Sequence, residues 1–209
     1  MSGKSGALPA NSSIAVGYEF SQFRTVRNFK ETGKRNMRSN RGFSLIELLI
    51  VVAIILIIAA IAIPSLLQAK IAANESSAAG SLRTLTSAEV TYYNSYPTVG
   101  YSTALSNLGG VSPCSPSPTT ACIIDNFLAS ASTGATGKSG FYYAAIGVVT
   151  AGATNNTAYV AGASPIVAQK TGNRDFCSTN DGILRSKQAS AGDAPPPDLA
   201  TCLAFPVTQ

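Results

Sequence analysis

The chain has 209 residues, of which 45% are hydrophobic and 12% charged, and its formal net charge at pH 7 is +5. It contains no histidine, which excludes imidazole acid–base catalysis and nucleophiles of the Ser-His-Asp type. Residues 1–42 hold eight Lys and Arg against two Glu, whereas residues 43–209 hold seven basic and eight acidic side chains, a net charge of −1. The basic surplus therefore belongs to the N-terminal segment, and the rest of the chain has no excess of cations for binding nucleic acid.

Residues 1–42 form a polar, basic leader in front of a long apolar run. Basic residues beside a spanning helix stay in the cytoplasm, so this flank predicts an orientation with the N-terminus inside and the C-terminus outside. Met37, which begins the sequence MRSNRG, is an alternative start of translation that would leave a much shorter leader.

The segment Phe43 to Leu67 contains 25 residues and a single charge, Glu47. As a helix it reaches about 37 Å, more than the roughly 30 Å of a bilayer's hydrocarbon core. The segment is thus predicted to span a membrane. A secretory signal cut after Ala62 and an uncut signal anchor are the alternatives, although cleavable signals have apolar regions of only about 7–15 residues. N-terminal sequencing distinguishes the three outcomes.

Glu47 is the anomaly in this apolar run. A carboxylate at bilayer depth costs at least about 2–3 kcal/mol, so it requires either access to water at the interface or a charged partner. A cut between Gly42 and Phe43 would create a free ammonium group four residues before Glu47. A neighbouring copy could offer that ammonium to the carboxylate, and a buried charge is tolerable when it is paired.

The sequence RGFSLIELLIVVAIILIIAAIAIP resembles the N-terminal signature of type IV pilins and of the related pseudopilins of type II secretion. The resemblance covers about Arg41 to Ser81, with Gly42 ending the leader, Glu47 as fifth mature residue and Pro64 inside the helix. It implies cleavage after Gly42 and N-methylation of Phe43 by a membrane prepilin peptidase. It also implies that the inner-membrane pilus assembly machinery builds many copies into a helical filament, with Phe43, Glu47 and Pro64 as assembly residues.

After Pro64 the pattern becomes amphipathic, which predicts a helix with one apolar stripe. The stripe residues recur at spacings of seven, four and three and are Ile71, Ala78, Leu82, Leu85, Tyr92 and Tyr96, whereas Lys70, Glu75, Arg83 and Glu89 are assigned to other faces. Pro97 marks the end of the helix. One helix is therefore predicted from Phe43 to about Tyr96, with Pro64 as a kink or, alternatively, as a break. Its assembly half is residues 43–67, and its amphipathic half is residues 68–96.

Residues 97–209 are predicted to form a turn-rich loop followed by a small antiparallel sheet. The strand candidates are Phe141–Val149, Thr157–Ala161, Arg174–Cys177 and Ile183–Arg185. The sequence GATGKSG lacks the first glycine of a phosphate loop and precedes a strand, so nucleotide binding is rejected. The predicted fold class is α+β, and the resemblance implies the type IV pilin fold, with the outer half of the helix packed on the sheet.

The four cysteines, Cys114, Cys122, Cys177 and Cys202, lie outside the membrane in this topology, where an even number predicts disulfides. Of three possible pairings, the spacing favours Cys114–Cys122 and Cys177–Cys202. The second pair resembles the C-terminal disulfide-bounded loop of pilins. A zinc site would need histidine or closer cysteine spacing, and Asn180-Asp181-Gly182 is assigned to a turn rather than to calcium. No metal or cofactor is expected.

The sequence therefore predicts a structural protein rather than an enzyme. It would lie in the inner membrane as a single-pass protein before assembly and in an extracellular pilus afterwards. The fibre would serve adhesion, twitching motility or DNA uptake, with separate motor proteins supplying the energy. A pseudopilin of type II secretion and an adhesive or DNA-binding minor pilin are the alternatives.

Overall fold

A computed structural model describes residues 42–208. Residues 1–41 of the predicted leader, which include the alternative start Met37, lie outside the described residues, as does Gln209. In chain order the elements are α1 (Leu45–Ser95), a 3₁₀ turn (Leu105–Leu108), α2 (Asn126–Ala129), β1 (Phe141–Val148), β2 (Ala158–Pro165), β3 (Arg174–Thr179), β4 (Arg185–Gln188) and α3 (Leu199–Leu203). This arrangement confirms the predicted α+β class.

The helix α1 is continuous over 51 residues and has Pro64 in its interior. The alternative in which Pro64 ends the helix is therefore wrong. At 1.5 Å per residue the helix is about 77 Å long. It ends where the sequence predicts, since the N–H of Tyr96 donates to the carbonyl of Tyr92 at 2.9 Å and Pro97 follows.

The four strands form an antiparallel sheet in the order β1-β2-β3-β4. β1 and β3 begin at the predicted residues, whereas β2 extends to Pro165 and β4 begins only at Arg185, after the predicted Ile183. The reason is the turn before β4. Its Asp181 carboxylate accepts hydrogen bonds from the Thr179 hydroxyl and from the Ile183 N–H, each at 2.9 Å. Ile183 is therefore part of the turn and not of the strand.

Both faces of the sheet are covered. Phe141 and Tyr143 of β1 and Phe176 of β3 face the packed half of α1 in the main hydrophobic core. On the opposite face a second cluster joins Val160, Cys177, Cys202 and Phe205. The predicted layering of one helix on one sheet is thus incomplete, because the segment around α3 forms a third layer. This is why β2 is buried along its whole length.

The two edges of the sheet are also hydrogen-bonded to loops. At the β1 edge, Tyr143 N–H donates to the carbonyl of Ala131 at 2.7 Å. At the β4 edge, Ser186 N–H donates to the carbonyl of Pro206 at 2.9 Å. Covered edges do not template pairing with strands of another chain. The exposed surface available for self-association therefore lies elsewhere, above all on α1.

Candidate functional site

The N-terminal half of α1 is exposed along its whole length. Every residue from 42 to 67 is exposed except Ala59, which is half-buried. This helix is long and apolar enough to cross a membrane, and the apolar window is not buried against the rest of the described chain. Exposed apolar patches above a few hundred Å² mark contacts with other proteins or with membrane. Residues 43–67 are therefore a contact surface and not part of the globular core.

Glu47 is the one charged residue in this surface and lies in the first turn of α1. A carboxylate there is favourably placed beside the positive end of the helix dipole. Its side chain has no ion-pair partner among residues 42–208. A partner for Glu47 in an apolar setting must therefore come from outside this part of the chain.

Gly42, Phe43 and Pro64, the other residues implicated by the sequence, are also exposed. Phe43 is 79% exposed. Pro64 has no N–H, so the carbonyl of Ala60 has no helical hydrogen-bond donor. The helix nevertheless continues through Pro64, and its first buried residue is Glu75.

The structure corrects the sequence analysis on the packed half of α1. Glu75 is 7% exposed and Glu89 is 0% exposed, although the sequence pattern assigns both to other faces. They fill the two seven-residue gaps of the stripe, at 71–78 and 85–92, so that buried positions alternate by four and three residues. That regular spacing is the signal from which both buried carboxylates could be recognised.

Glu89 connects the helix to the loop that follows it. One carboxylate oxygen accepts the N–H of Ser102 at 2.9 Å, and the other accepts the Ser102 hydroxyl. The carbonyl of Ser102 in turn accepts the N–H of Gly147 in β1 at 2.5 Å. Burial raises the pKa of Glu89 to about 7, against the opposing effect of the hydrogen bonds from Ser102. The Glu89 carboxylate thus holds Ser102 in place, and Ser102 connects α1 to the edge strand β1.

Glu75 likewise connects α1 to the sheet, at the start of β3. Its carboxylate accepts the N–H of Asn173 at 2.7 Å and forms an ion pair with Arg174, whose NH2 lies 2.8 Å away. Arg174 is half-exposed, so the buried carboxylate keeps a partner that reaches solvent. Because Asn173 follows Glu75 by 98 residues, this contact fixes the sheet against the helix.

Asp175 is a third buried carboxylate. It lies in β3 and is 0% exposed. Lys187 of β4 places its Nζ 3.4 Å from Asp175 and 3.1 Å from Asp193. Burial, with a smaller contribution from Asp193, raises the pKa of Asp175 to about 6, while Lys187 opposes that shift. Lys187 thereby links the loop after β4 to the outer face of the sheet.

The substitution Glu89→Gln is expected to stabilise the protein at pH 8 and to change it little at pH 4. The pKa of Glu89 is about 7 in the folded chain against 4.5 in the reference state. Its contribution to stability is therefore complete below pH 4.5 and is lost as pH rises to about 7, a difference of about 3 kcal/mol. Glutamine keeps an acceptor for the Ser102 N–H and offers a donor to its hydroxyl.

Urea unfolding of the detergent-solubilised protein at pH 4 and pH 8 measures this effect. Asp175 titrates in an overlapping range, but it is present in both proteins and cancels in their difference. Equal stability differences between variant and unaltered protein at the two pH values would contradict the role assigned to Glu89.

The cysteines are joined in the two pairs favoured by their spacing. Cys114 is bonded to Cys122 and Cys177 to Cys202. The first bridge closes a turn-rich segment after the 3₁₀ turn, and its residues are half-buried. The second joins β3 to α3 within the outer cluster, with both cysteines 0% exposed. The second bridge therefore holds the third layer on the sheet.

Within residues 42–208, no three His, Cys, Asp or Glu side chains are grouped to hold a metal ion. In the turn considered for calcium, Asp181 pairs with Arg185 at 2.6 Å. The hydrogen bond from Arg185 lowers the pKa of Asp181 to about 2. The carboxylate thus neutralises a buried guanidinium and organises the turn.

Comparison with known proteins adds two findings. Residues 37–63 match the family model of the prokaryotic N-terminal methylation motif. Over 39 residues the chain is 62% identical to the type IV wide pilus major component PilA4 of Thermus thermophilus. That match covers 19% of this chain and 30% of the relative's length. No solved structure matches the chain.

The match and the fold are independent observations. The family model matches residues 37–63, which include most of the exposed half of α1. The packed half of α1 and the antiparallel sheet lie beyond residues 37–63 and form an α+β arrangement that is consistent with the pilin fold. The chain therefore carries the prokaryotic N-terminal methylation motif and is similar, over 39 residues, to a component of a type IV pilus.

Proposed function

We propose that the chain is a structural subunit of a type IV pilus and that it polymerises through residues 43–67. The observation that carries the proposal is the exposed apolar half of α1, which bears one carboxylate and coincides with the methylation motif. A surface of this size and character requires a membrane or other copies around it. A subunit that moves from the membrane into the fibre would use residues 43–67 as its contact surface in both places.

The first step of the proposal is processing. A prepilin peptidase would cleave between Gly42 and Phe43 and methylate the new amine of Phe43. Cleavage removes the leader with its net charge of +6, since eight basic and two acidic residues precede Phe43. A methylated amine is still protonated at neutral pH, so Phe43 would retain one positive charge.

The second step is assembly, in which the amine of Phe43 in one copy would pair with Glu47 in its neighbour. Glu47 has no partner of its own among residues 42–208, and an unpaired carboxylate is unfavourable in apolar surroundings. Each copy would offer its Phe43 amine to one neighbour and pair its own Glu47 with the amine of another neighbour, so the contact is head-to-tail. Contacts of this kind generate open helical filaments when the rotation does not close a ring.

Before assembly, residues 43–67 would span the inner membrane, with residues 68–96 and 97–209 on its outer side. The basic leader on the inner side supports this orientation. Two disulfides in the outer region also support it, because such bonds persist in oxidising compartments. The inner-membrane assembly machinery would then extract the subunit into an extracellular fibre.

A pilus is favoured over a type II secretion pseudopilin because the similar protein is named as a major pilus component. The role proposed here is structural and not enzymatic. Adhesion, twitching motility and DNA uptake are the uses that such a fibre would serve.

Deletion of the gene, followed by electron microscopy of the cell surface, tests this proposal. We expect surface fibres to be lost and to return on complementation, with sheared fibres containing a chain that begins at Phe43. Loss of protein secretion with fibres unchanged would instead identify a pseudopilin. A mature chain beginning at Ile63 or retaining the leader would refute the assembly mechanism.

A further inference from the structure

A pocket of about 200 Å³ lies between α1 and the turn that joins β3 to β4. Buried Leu82 and half-buried Leu184 give it an apolar floor, and exposed Arg83 lies at its rim. A single water needs only about 10–15 Å³ of such space, so the pocket accepts a whole side chain. Ser178 also lines it and is 2% exposed, and its hydroxyl has no hydrogen-bond partner among residues 42–208.

The chemistry of this pocket suits an apolar side chain that has a carboxylate beside it. Arg83 has no carboxylate partner within the described chain. Guanidinium groups pair well with carboxylates, and the exposed Ser87 adds a hydroxyl with hydrogen-bonding capacity. The apolar floor would bury an aromatic or aliphatic group.

The short helix α2 presents this combination on its exposed side. Phe127 is 55% exposed, although large aromatic residues are usually buried in the folded chain. Asp125, two residues earlier, is also exposed and uses one oxygen to accept the N–H of Leu128 at 2.9 Å. Its other oxygen has no hydrogen bond within residues 42–208 and is free to accept from a partner.

α2 and the pocket belong to opposite edges of the sheet. The carbonyl of Ala131, just after α2, accepts the N–H of Tyr143 in β1 at 2.7 Å. Leu184 of the pocket directly precedes β4. Because β1 and β4 are the two outer strands, α2 does not serve the pocket of its own subunit. A contact between these two surfaces would be head-to-tail, the type that propagates into a filament.

We propose that Phe127 of one subunit inserts into this pocket of a second copy, where Asp125 pairs with Arg83. The inference rests on the proposed function, since it assigns a contact between globular regions in the same fibre. The buried ring supplies the contact area, and the ion pair at the rim fixes the orientation. The contact lies outside the apolar helices and supplements their packing.

Cysteine crosslinking in assembled fibres tests the contact. All native cysteines within residues 42–208 are in disulfides, so an introduced pair is read without interference. Fibres of the Phe127→Cys/Ser87→Cys variant are sheared from cells, oxidised and separated without reductant. We expect a ladder of dimers and higher multimers. The matched control is Val149→Cys/Ser87→Cys, because Val149 is equally exposed but lies outside α2 and the pocket, and it should give monomer.

The outcomes separate this contact from the fibre itself. Monomer alone from well-formed Phe127→Cys/Ser87→Cys fibres would overturn the proposed contact, as would an equal ladder from the control. Both results would leave the pilus assignment intact. Absence of fibres from the unaltered chain would instead refute the proposed function.

Two charge substitutions keep the contact testable if the cysteine variants fail to assemble. Asp125→Asn retains the acceptor at the start of α2 but removes the charge, and Arg83→Gln removes the partner. Each is expected to lower the fraction of subunits in fibres by roughly 1.5- to 5-fold, the range for an exposed ion pair. The double variant should be no worse than either single variant. Reductions that multiply in the double variant would show that the two residues do not interact.

Discussion

Glu47→Ala is expected to prevent or severely weaken fibre assembly while leaving membrane insertion and processing intact. Glu47 is the one charged side chain in the exposed half of α1. Its removal makes the segment more apolar, so insertion into the membrane is not impaired. In the fibre, however, it would leave the amine of a neighbouring Phe43 buried without a counter-charge.

The size of this effect follows from the cost of a broken buried ion pair. Removing one partner typically costs about 3–5 kcal/mol, because the remaining charge stays buried and uncompensated. At 1.4 kcal/mol per tenfold, each subunit contact would weaken by about 10²-fold to about 4 × 10³-fold. The same defect recurs at every subunit, so a long filament is more sensitive than a dimer would be.

Electron microscopy of fibres and membrane fractionation of the same cells measure the two parts of this prediction. The matched control is Leu48→Ala, which removes apolar area from the adjacent, similarly exposed position but changes no charge. We expect fibres to persist in the control. A normal number of fibres in Glu47→Ala cells, or failure of the variant to insert, would contradict the pairing with Phe43.

Replacing Cys177 and Cys202 by alanine is expected to lower the free energy of unfolding by at least about 3 kcal/mol. This bridge spans 25 residues, and the loop-closure model gives about 3.5 kcal/mol for that length. Both sulfurs are also fully buried beside Val160 and Phe205. Their loss leaves a void and frees α3 from the outer face of the sheet.

The matched control is the Cys114→Ala/Cys122→Ala variant. That bridge spans eight residues, for which the same model gives about 2.5 kcal/mol, and its cysteines are only half-buried. Urea unfolding of the detergent-solubilised proteins compares the two variants. A larger loss in the Cys114/Cys122 variant would show that the outer layer is not held mainly by the second bridge.

Local patterns predicted the long helix and its two halves. The apolar run and the spacing after Pro64 place α1 within two residues of its actual ends, because periodicity and a terminating proline act over one or two turns. The strands β1 and β3 begin where aromatic and β-branched residues predict them. β4 is displaced, because the hydrogen bonds of Asp181 keep Ile183 in the turn.

Whether the two glutamates of α1 are buried depends on partners that are distant in sequence. A glutamate on an amphipathic helix is normally solvated, so the sequence predicts that Glu75 and Glu89 lie on polar faces. Their burial is tolerable only because Arg174 and Ser102 reach them from other parts of the fold. Residue spacing indicates which face of the helix such a side chain lies on, but not whether the rest of the fold supplies a hydrogen-bond or ion-pair partner there.

The amino-acid sequence by itself determined the membrane-length helix, the lone Glu47 and the motif at its N-terminus, since these depend on consecutive residues. Only the tertiary structure decided that both sheet faces and both edges are covered, which leaves α1 as the main exposed apolar surface. It also decided that α2 and the Arg83 pocket lie at opposite edges. Those relations depend on strand order and packing, which join residues far apart in the chain.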